Sequence, residues 1–205
     1  MDKLYLWIVK RRNPLVRVFV FFNCLLAVVW FIAFQAIVMG NGNPSWFYQN
    51  AILFGQTGLI LYILTTIPGI MRRFGKFHKS VSILMIFRRY IGIATFMFVF
   101  LHVSIERLFW VLKGQMGLVP TELFQLSGFL AFLILFSLFI TSNDWSTKNL
   151  GIWWDRIHNL TNIVVWLIFA HVALQRLSIW TVLIGITSVA QLASHLYAKR
   201  KRAQA

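Results

Sequence analysis

Two histidines, His102 and His171, lie inside long apolar stretches of this chain. An imidazole at membrane depth is costly to desolvate, so it needs a partner: another polar group, a proton path or a metal. Each lies 12 or 13 residues into its stretch, and at about 1.5 Å per residue both reach roughly 18 to 20 Å from the same boundary. Two neutral imidazoles at one depth can ligate a haem iron from both faces, which suits electron transfer. The alternative is two core histidines bonded to nearby carbonyls.

Arginines follow both histidines at the same interval. Arg107 lies five residues beyond His102, and Arg176 lies five residues beyond His171. Both are therefore about 7 Å higher on their helices, where guanidinium groups could pair with haem propionates. Either arginine could instead be a snorkelling anchor at the membrane boundary. Glu106, one turn above His102, could pair with either arginine.

His158, thirteen residues before His171, suggests a second haem at another depth in the membrane. On an ideal helix the two side chains would be about 140° apart, so a second haem would require a bulge or different rotamers. The matching position on the earlier histidine span is Arg89, which cannot ligate iron, so the other ligand would be His78, a water or another group. Otherwise we expect His78 and His195 to be ordinary interfacial residues.

Apolar blocks make up most of the 205 residues, which are 59% hydrophobic with a mean hydropathy of +0.73. Only 12% of the residues are charged, about half the fraction of a soluble domain. A helix of about 20 apolar residues crosses the hydrocarbon core. The predicted spans are 18–39, 51–71, 90–112, 123–141, 158–176 and 179–197. The sequence therefore predicts an all-α integral membrane protein, a six-transmembrane-helix bundle.

Most of the basic residues fall on one side of this bundle. Segments 1–17, 72–89, 142–157 and 198–205 hold 17 of the 20 lysines and arginines, which predicts that both termini are cytoplasmic. The domains are then a basic cytoplasmic segment, a membrane domain over 18–197 and a basic cytoplasmic tail. The net charge of +15 reflects topology, so we expect the lipid bilayer and no nucleic acid as a partner. The basic loop 72–89 could dock an acidic donor or bind a flavin phosphate.

Several short motifs occur within residues 51–176. They are Gly55 and Pro68 with the basic exit Arg72-Arg73, Arg88-Arg89-Tyr90-Ile91-Gly92 before Leu101-His102, Thr141-Ser142, Leu150-Gly151 with Trp154, Ile157-His158-Asn159, and His171. This pattern resembles the ferric-reductase-like transmembrane domain family. Within that family it is most similar to the haem-binding membrane subunits of bacterial periplasmic methionine sulfoxide reductase systems.

The resemblance implies a multi-pass protein of the bacterial inner membrane with b-type haem, one or two per chain. The positions that match the family's haem-binding histidines are His102, His158 and His171. Electrons would enter from a cytoplasmic flavin reductase or reduced flavin such as FMN and leave to a periplasmic oxidoreductase subunit, a methionine sulfoxide reductase. Larger members fuse a flavin and NADPH module, so a separate donor is expected here. The chain departs from the family where a tyrosine is common, with Asn162 and Val172 near those places.

The sequence is also compatible with other functions. The same membrane domain could be a ferric or cupric reductase that acts directly on extracellular metal. In a different class, His102, Glu106 and His171 could form the proton relay of a channel or transporter, which would show no haem spectrum. The protein could also be a structural subunit in which the histidines only pack against their neighbours. In that case the equal depth of His102 and His171 would be a coincidence.

Overall fold

A computed structural model describes residues 2–40, 44–114, 117 and 119–204 of the chain. Within these residues the only regular secondary structure is α-helix. The helices are α1 (Asp2–Lys10), α2 (Arg12–Val38), α3 (Pro44–Arg73), α4 (Lys79–Leu112), α5 (Leu123–Ile140), α6 (Asp144–Asn149), α7 (Ile152–Asn159), α8 (Thr161–Gln175) and α9 (Ile179–Ala203).

Six helical segments of the described chain are long and apolar enough to cross a membrane. They are Arg12–Val38, Gln49–Arg73, Lys79–Leu112, Leu123–Ile140, Ile152–Gln175 and Ile179–Ala203. Each contains most of one predicted span, because a continuous apolar block of this length is stable in lipid only as a helix that satisfies its own backbone. The predicted all-α, six-span bundle is therefore confirmed. Which face is cytoplasmic stays a prediction.

The basic loop predicted at 72–89 is much shorter in the structure. Helix α3 continues to Arg73 and α4 begins at Lys79, which leaves five residues between them. The apolar centre of the predicted loop belongs to α4, where Val81 and Phe87 are buried. Hydropathy alone ends a span where charges appear, whereas an amphipathic helix continues as long as one face remains apolar.

The polar loop predicted at 142–157 also contains helix. Short helix α6 begins because the Asn143 side chain caps it, accepting a 2.8 Å hydrogen bond from the backbone N–H of Ser146. Gly151 separates α6 from α7 with a positive φ of 51°, a conformation that favours glycine. These turns place α7 beneath the end of α5.

The fifth span is interrupted at Leu160, between α7 and α8. The Thr161 hydroxyl donates to the carbonyl of His158 at 2.7 Å, and the Tyr62 hydroxyl of α3 donates to the carbonyl of Thr161 at 2.7 Å. These bonds satisfy carbonyls where the helical ladder is irregular. The interruption lies between the two histidines of this span, His158 and His171.

Two pairs of helices position the candidate site: α3 packs along α4, and α5 packs along α8. One buried cluster joins α2, α3 and α4 around Leu101, and another joins α3, α4, α5, α8 and α9 around Val164 and Ile184. We call the end of the bundle with the α3–α4 connection, α6 and the end of α9 the basic face, and the other end the opposite face. Many outward side chains are exposed and apolar, Phe21 among them, as a lipid-facing surface requires.

Candidate functional site

The structure brings His102 of α4 and His171 of α8 together in the bundle. Their ring centroids are 6.4 Å apart, and the ring planes are inclined by 70°. Both side chains are only partly exposed. The two residues come from helices of different packed pairs, so the imidazoles meet where the α3–α4 pair faces the α5–α8 pair.

Each imidazole is held by a backbone carbonyl of the other helix in its own pair. Nδ1 of His102 is 2.8 Å from the carbonyl oxygen of Ala51, and Nδ1 of His171 is 2.7 Å from that of Phe124. A carbonyl oxygen can only accept, so Nδ1 carries the proton and donates in both cases. In the neutral imidazole Nε2 then bears the lone pair. Satisfied core histidines make such bonds, and so do metal-ligating histidines through the nitrogen that does not bind the metal.

A glycine lies four residues after each accepting carbonyl: Gly55 after Ala51, and Gly128 after Phe124. A Cβ at Gly55 would lie 3.0 Å from Nδ1 of His102, and a Cβ at Gly128 would lie 2.5 Å from Nδ1 of His171. Four residues is one helical turn, so each glycine removes the side chain that would cover the carbonyl. The sequence reasoning did not assign these glycines to the site. In the sequence, the only sign of a special role is that each is a glycine inside an otherwise apolar helix.

Polar residues on the α4 and α5 helices lie beside the histidine pair. The carboxylate of Glu106 is 3.4 Å from Nε2 of His102. Nη1 of Arg107 donates to the side-chain carbonyl of Gln125 at 3.2 Å, next to the Phe124 carbonyl that holds the second imidazole. The side chain of Arg176 is exposed at the end of α8. Of the two arginines predicted to support the site, the structure therefore places Arg107 at its rim and Arg176 on the surface.

A cluster of phenylalanines fills the space between α4 and α5 below the histidines. Phe96 stacks on Phe139 with ring centroids 4.4 Å apart, and it also contacts Phe100 and Phe132 at 5.9 and 5.8 Å. Phe96 lies six residues before His102 on α4, about 9 Å along the helix. The cluster is therefore an apolar layer between the histidine pair and the lower part of the bundle.

Below this layer a cavity of about 570 Å³ opens toward the basic face, and we call it the lower cavity. Residues of all the helices from α3 to α9 line it. Its lining includes four cationic side chains, Arg72, Arg73, Arg88 and Arg89, and one acidic side chain, Asp155. Gln191 also lines it, and its side-chain oxygen is buried with no hydrogen-bond partner in the described structure. A ligand with anionic and hydrogen-bonding groups fits this lining.

His158 lies on the lower cavity and packs against Trp154, with ring centroids 4.0 Å apart. The Thr141 hydroxyl donates to the Ser137 carbonyl, so its oxygen is the acceptor for Nε2 of His158 at 3.2 Å. The indole of Trp154 donates to the Thr141 carbonyl at 3.2 Å. Three of the residues that carry the family resemblance therefore contact one another.

Among the described residues that line the lower cavity, His158 has no second histidine beside it. His78 precedes α4 and is exposed. Nε2 of His195 instead donates to the side-chain oxygen of Asn162 at 2.9 Å. Arg89, at the position that matches His158 on α4, lines the cavity and pairs with Asp144 at 2.5 Å.

The Arg89–Asp144 pair gives a pH-dependent prediction. The hydrogen bond and charge of Arg89 hold the pKa of Asp144 below its ordinary value of 3.8. A lowered carboxyl pKa contributes stability that is present above the unfolded pKa and is lost as pH falls through the folded pKa. We expect Asp144→Asn to lower the Tm in detergent by about 1 to 2 °C at pH 7, because Asp144 is exposed, and the difference to shrink as the pH falls below 3.8 and through the lowered pKa of Asp144. Asp155→Asn is the matched control, and an equal shift there would contradict the assignment to the pair.

Six helices long enough to cross a membrane, with two partly buried imidazoles side by side among them, define a multi-pass membrane protein with a histidine pair in its bundle. The profile described as "Ferric reductase like transmembrane component" matches residues 54–170. That range is more than half of the chain, and the chain belongs to this family. His102 and His158 lie within the matched range, and His171 directly follows it. The predicted family membership is confirmed.

Among curated proteins, the chain is similar to the protein-methionine-sulfoxide reductase heme-binding subunit MsrQ of Yersinia enterocolitica. The two are 28% identical over 114 residues, which are 54% of this chain and 55% of that protein. The chain thus spans about half the length of the relative. No solved structure matches the chain.

Proposed function

We propose that this chain is a haem-binding electron-transfer subunit of the bacterial inner membrane. It carries electrons from a reduced flavin or flavoprotein at the cytoplasmic face to a periplasmic oxidoreductase, a methionine sulfoxide reductase catalytic subunit. The observation that carries this proposal is the pair of imidazoles, His102 and His171, that face each other 6.4 Å apart. Family membership and the name of the relative support it.

The residues present fit a haem iron between the two rings. An imidazole nitrogen would bind such a metal at about 2 Å, so the 6.4 Å between the ring centres leaves room for one metal ion held by both rings. Both Nδ1 atoms already donate to carbonyls, so in the neutral imidazoles the lone pairs would be on the Nε2 atoms, the tautomer that ligation requires. The distance between the rings and the tautomer are both compatible with iron binding.

The chain's own residues determine what such a centre does. The carbonyls of Ala51 and Phe124 fix the orientation of both ligands and raise their basicity. A haem held by these two imidazoles would supply one-electron transfer. The carboxylate of Glu106 faces Nε2 of His102, so ligation requires that this carboxylate turns away. The phenylalanine cluster keeps water from the lower side.

Arg107 is the cation best placed for a haem propionate. It lies at the rim of the site and is held by Gln125, and guanidinium binds carboxylate through paired hydrogen bonds. Arg176 would have to approach from its exposed position at the end of α8. We therefore assign the propionate interaction first to Arg107 and second to Arg176.

The lower cavity is the proposed point of electron entry. Arg72, Arg73 and Arg88 outnumber the one acidic lining residue, Asp155, and the cavity opens toward the basic face. This favours a flat anionic donor, and a flavin mononucleotide provides both a ring system and a phosphate. A second haem in this cavity would have His158 as its only histidine ligand among the described lining residues. With Arg89 engaged by Asp144, a flavin fits this cavity better than a second haem.

The test is an absorption spectrum of the purified protein, oxidised and dithionite-reduced, with haem quantified per chain. We expect a b-type spectrum and close to one haem per chain, unchanged in His158→Ala. A ratio near two that falls to one in His158→Ala would overturn the single-haem assignment. A featureless spectrum from protein produced with ample haem would overturn the electron-transfer function and favour the proton relay.

A ferric or cupric reductase remains the second candidate, because the family match concerns ferric reductase like components. The two functions differ in their acceptor. Protein reduced in liposomes should be reoxidised by the periplasmic catalytic subunit with methionine sulfoxide present, and only slowly by ferric or cupric chelates. Rapid reoxidation by the chelates alone would favour the metal reductase.

A further inference from the structure

A second cavity, of about 980 Å³, lies at the basic face between the ends of α3 and α9, and we call it the basic cavity. Five cationic side chains line it: Arg72, Arg73, Lys199, Lys201 and Arg202. Among the described residues that line it, none is Asp or Glu. The first two arginines also line the lower cavity, so the two spaces adjoin.

We infer that the basic cavity is a binding site for a phosphate ester, carried by the headgroup of an anionic phospholipid. The site lies outside the histidine pair and does not depend on the proposed electron-transfer function. Basic pockets between membrane-spanning helices suit anionic headgroups because charge, depth and an apolar surface coincide there.

The charge of the cavity favours an anion even after the helix ends are considered. Helices α3 and α9 both end at this face, and each C-terminus contributes about half a unit of negative charge. Five cations therefore leave an excess of about four positive charges. A concave surface lined by one sign of charge concentrates the opposite ion.

One of these cations is fixed in place from below. Nη1 of Arg73 donates to the hydroxyl of Ser194 at 2.9 Å, and Ser194 is fully buried. The Ser194 hydroxyl in turn donates to the carbonyl of Gln191 at 2.7 Å. A guanidinium has five N–H donors in a planar fork that matches phosphate geometry, and this bond orients the fork without using most of them.

An apolar stripe on α9 favours a lipid as the carrier of the phosphate. Val189, Leu192 and Leu196 are spaced three and four residues apart, which places them on one face of the helix. All three are exposed, and Leu196 also lines the basic cavity. A headgroup in the cavity would therefore have an apolar surface along which its acyl chain can lie.

Native mass spectrometry of the full chain in neutral detergent tests this inference, with phosphatidylglycerol, phosphatidylcholine and inorganic phosphate as probes. The cavity variant is Lys199→Gln with Arg202→Gln, two exposed residues. The matched control is Lys76→Gln with Lys148→Gln, which removes the same charge from exposed positions outside the cavity. We expect one phosphatidylglycerol per wild-type or control chain, no phosphatidylcholine, and binding weakened on the order of tenfold in the cavity variant.

Three outcomes would overturn the inference: equal phosphatidylglycerol binding by both variants, equal loss in both, or equal binding of phosphatidylcholine. If inorganic phosphate binds as tightly as the lipid and is lost in the cavity variant, the anion site stands and the lipid carrier is overturned. The cavity variant should keep the haem spectrum, so failure here is distinguishable from failure of the proposed function.

Discussion

Replacing either His102 or His171 with alanine should remove at least nine-tenths of the bound haem. Each replacement would delete one of the two imidazoles proposed to hold the iron, and no third histidine lies beside the pair in the described bundle to substitute for it. The apoprotein should still fold, because one carbonyl hydrogen bond contributes only about 1 kcal/mol. Haem per chain, measured from the reduced spectrum, and the elution volume in size-exclusion chromatography check both expectations.

His78→Ala is the matched control for these variants. His78 is exposed and lies outside the linings of both cavities, so its replacement should leave the haem content at the wild-type level. Full haem occupancy in His102→Ala with normal elution would show that the imidazole pair does not hold the iron. The pair would then be two core histidines that bond to carbonyls.

A single methyl group at Gly128 should reduce haem occupancy almost as severely, although Gly128 makes no contact with the metal in our proposal. The new Cβ would lie 2.5 Å from Nδ1 of His171, closer than real Cβ contacts allow. The ring must therefore leave the carbonyl of Phe124, and its Nε2 turns away from the partner ring. We expect Gly128→Ala to lower haem per chain by five- to tenfold, because sub-ångström ligand placement decides such sites.

Replacing two other glycines should give smaller losses of haem, graded by how close the new Cβ lies to its neighbours. A Cβ at Gly55 would lie 3.0 Å from His102, so Gly55→Ala should cause a smaller loss, about two- to threefold. Gly92 is also helical, and a Cβ there would meet nothing within 4 Å, so Gly92→Ala should retain wild-type haem. The order of the three losses is the informative result, and a loss in Gly92→Ala as large as that in Gly128→Ala would contradict the steric explanation.

The six spans could be predicted from the sequence because each is a continuous apolar block, and in lipid such a block has few alternatives to helix. The basic ends of these helices could not be predicted in this way. In the first turns of α4, charged residues share the helix with buried Val81 and Phe87, so hydropathy there resembles that of a loop. Which face of a helix is buried depends on its neighbours, and sequence alone does not name them.

The histidine pair could be predicted for a similar reason, since depth along a helix follows from counting residues. A bulge or different rotamers were expected only if His158 and His171 each held a haem, and no proline or glycine marks the interruption at Leu160 in the sequence. The roles of Gly55 and Gly128 were beyond sequence reasoning, because they depend on the register of α3 against α4 and of α5 against α8. Register is set by packing over the whole length of two helices.

The partners that orient both imidazoles are main-chain atoms, and this has a consequence for how such a site varies among relatives. Any amino acid at position 51 or 124 supplies the same carbonyl, so these positions can diverge without changing the electronic character of the ligands. The constraint falls instead on residues 55 and 128, whose contribution is the absence of a side chain. A search for polar residues that co-vary with the histidines would therefore miss these partners, whereas two invariant glycines, each one turn from an acceptor, would reveal them.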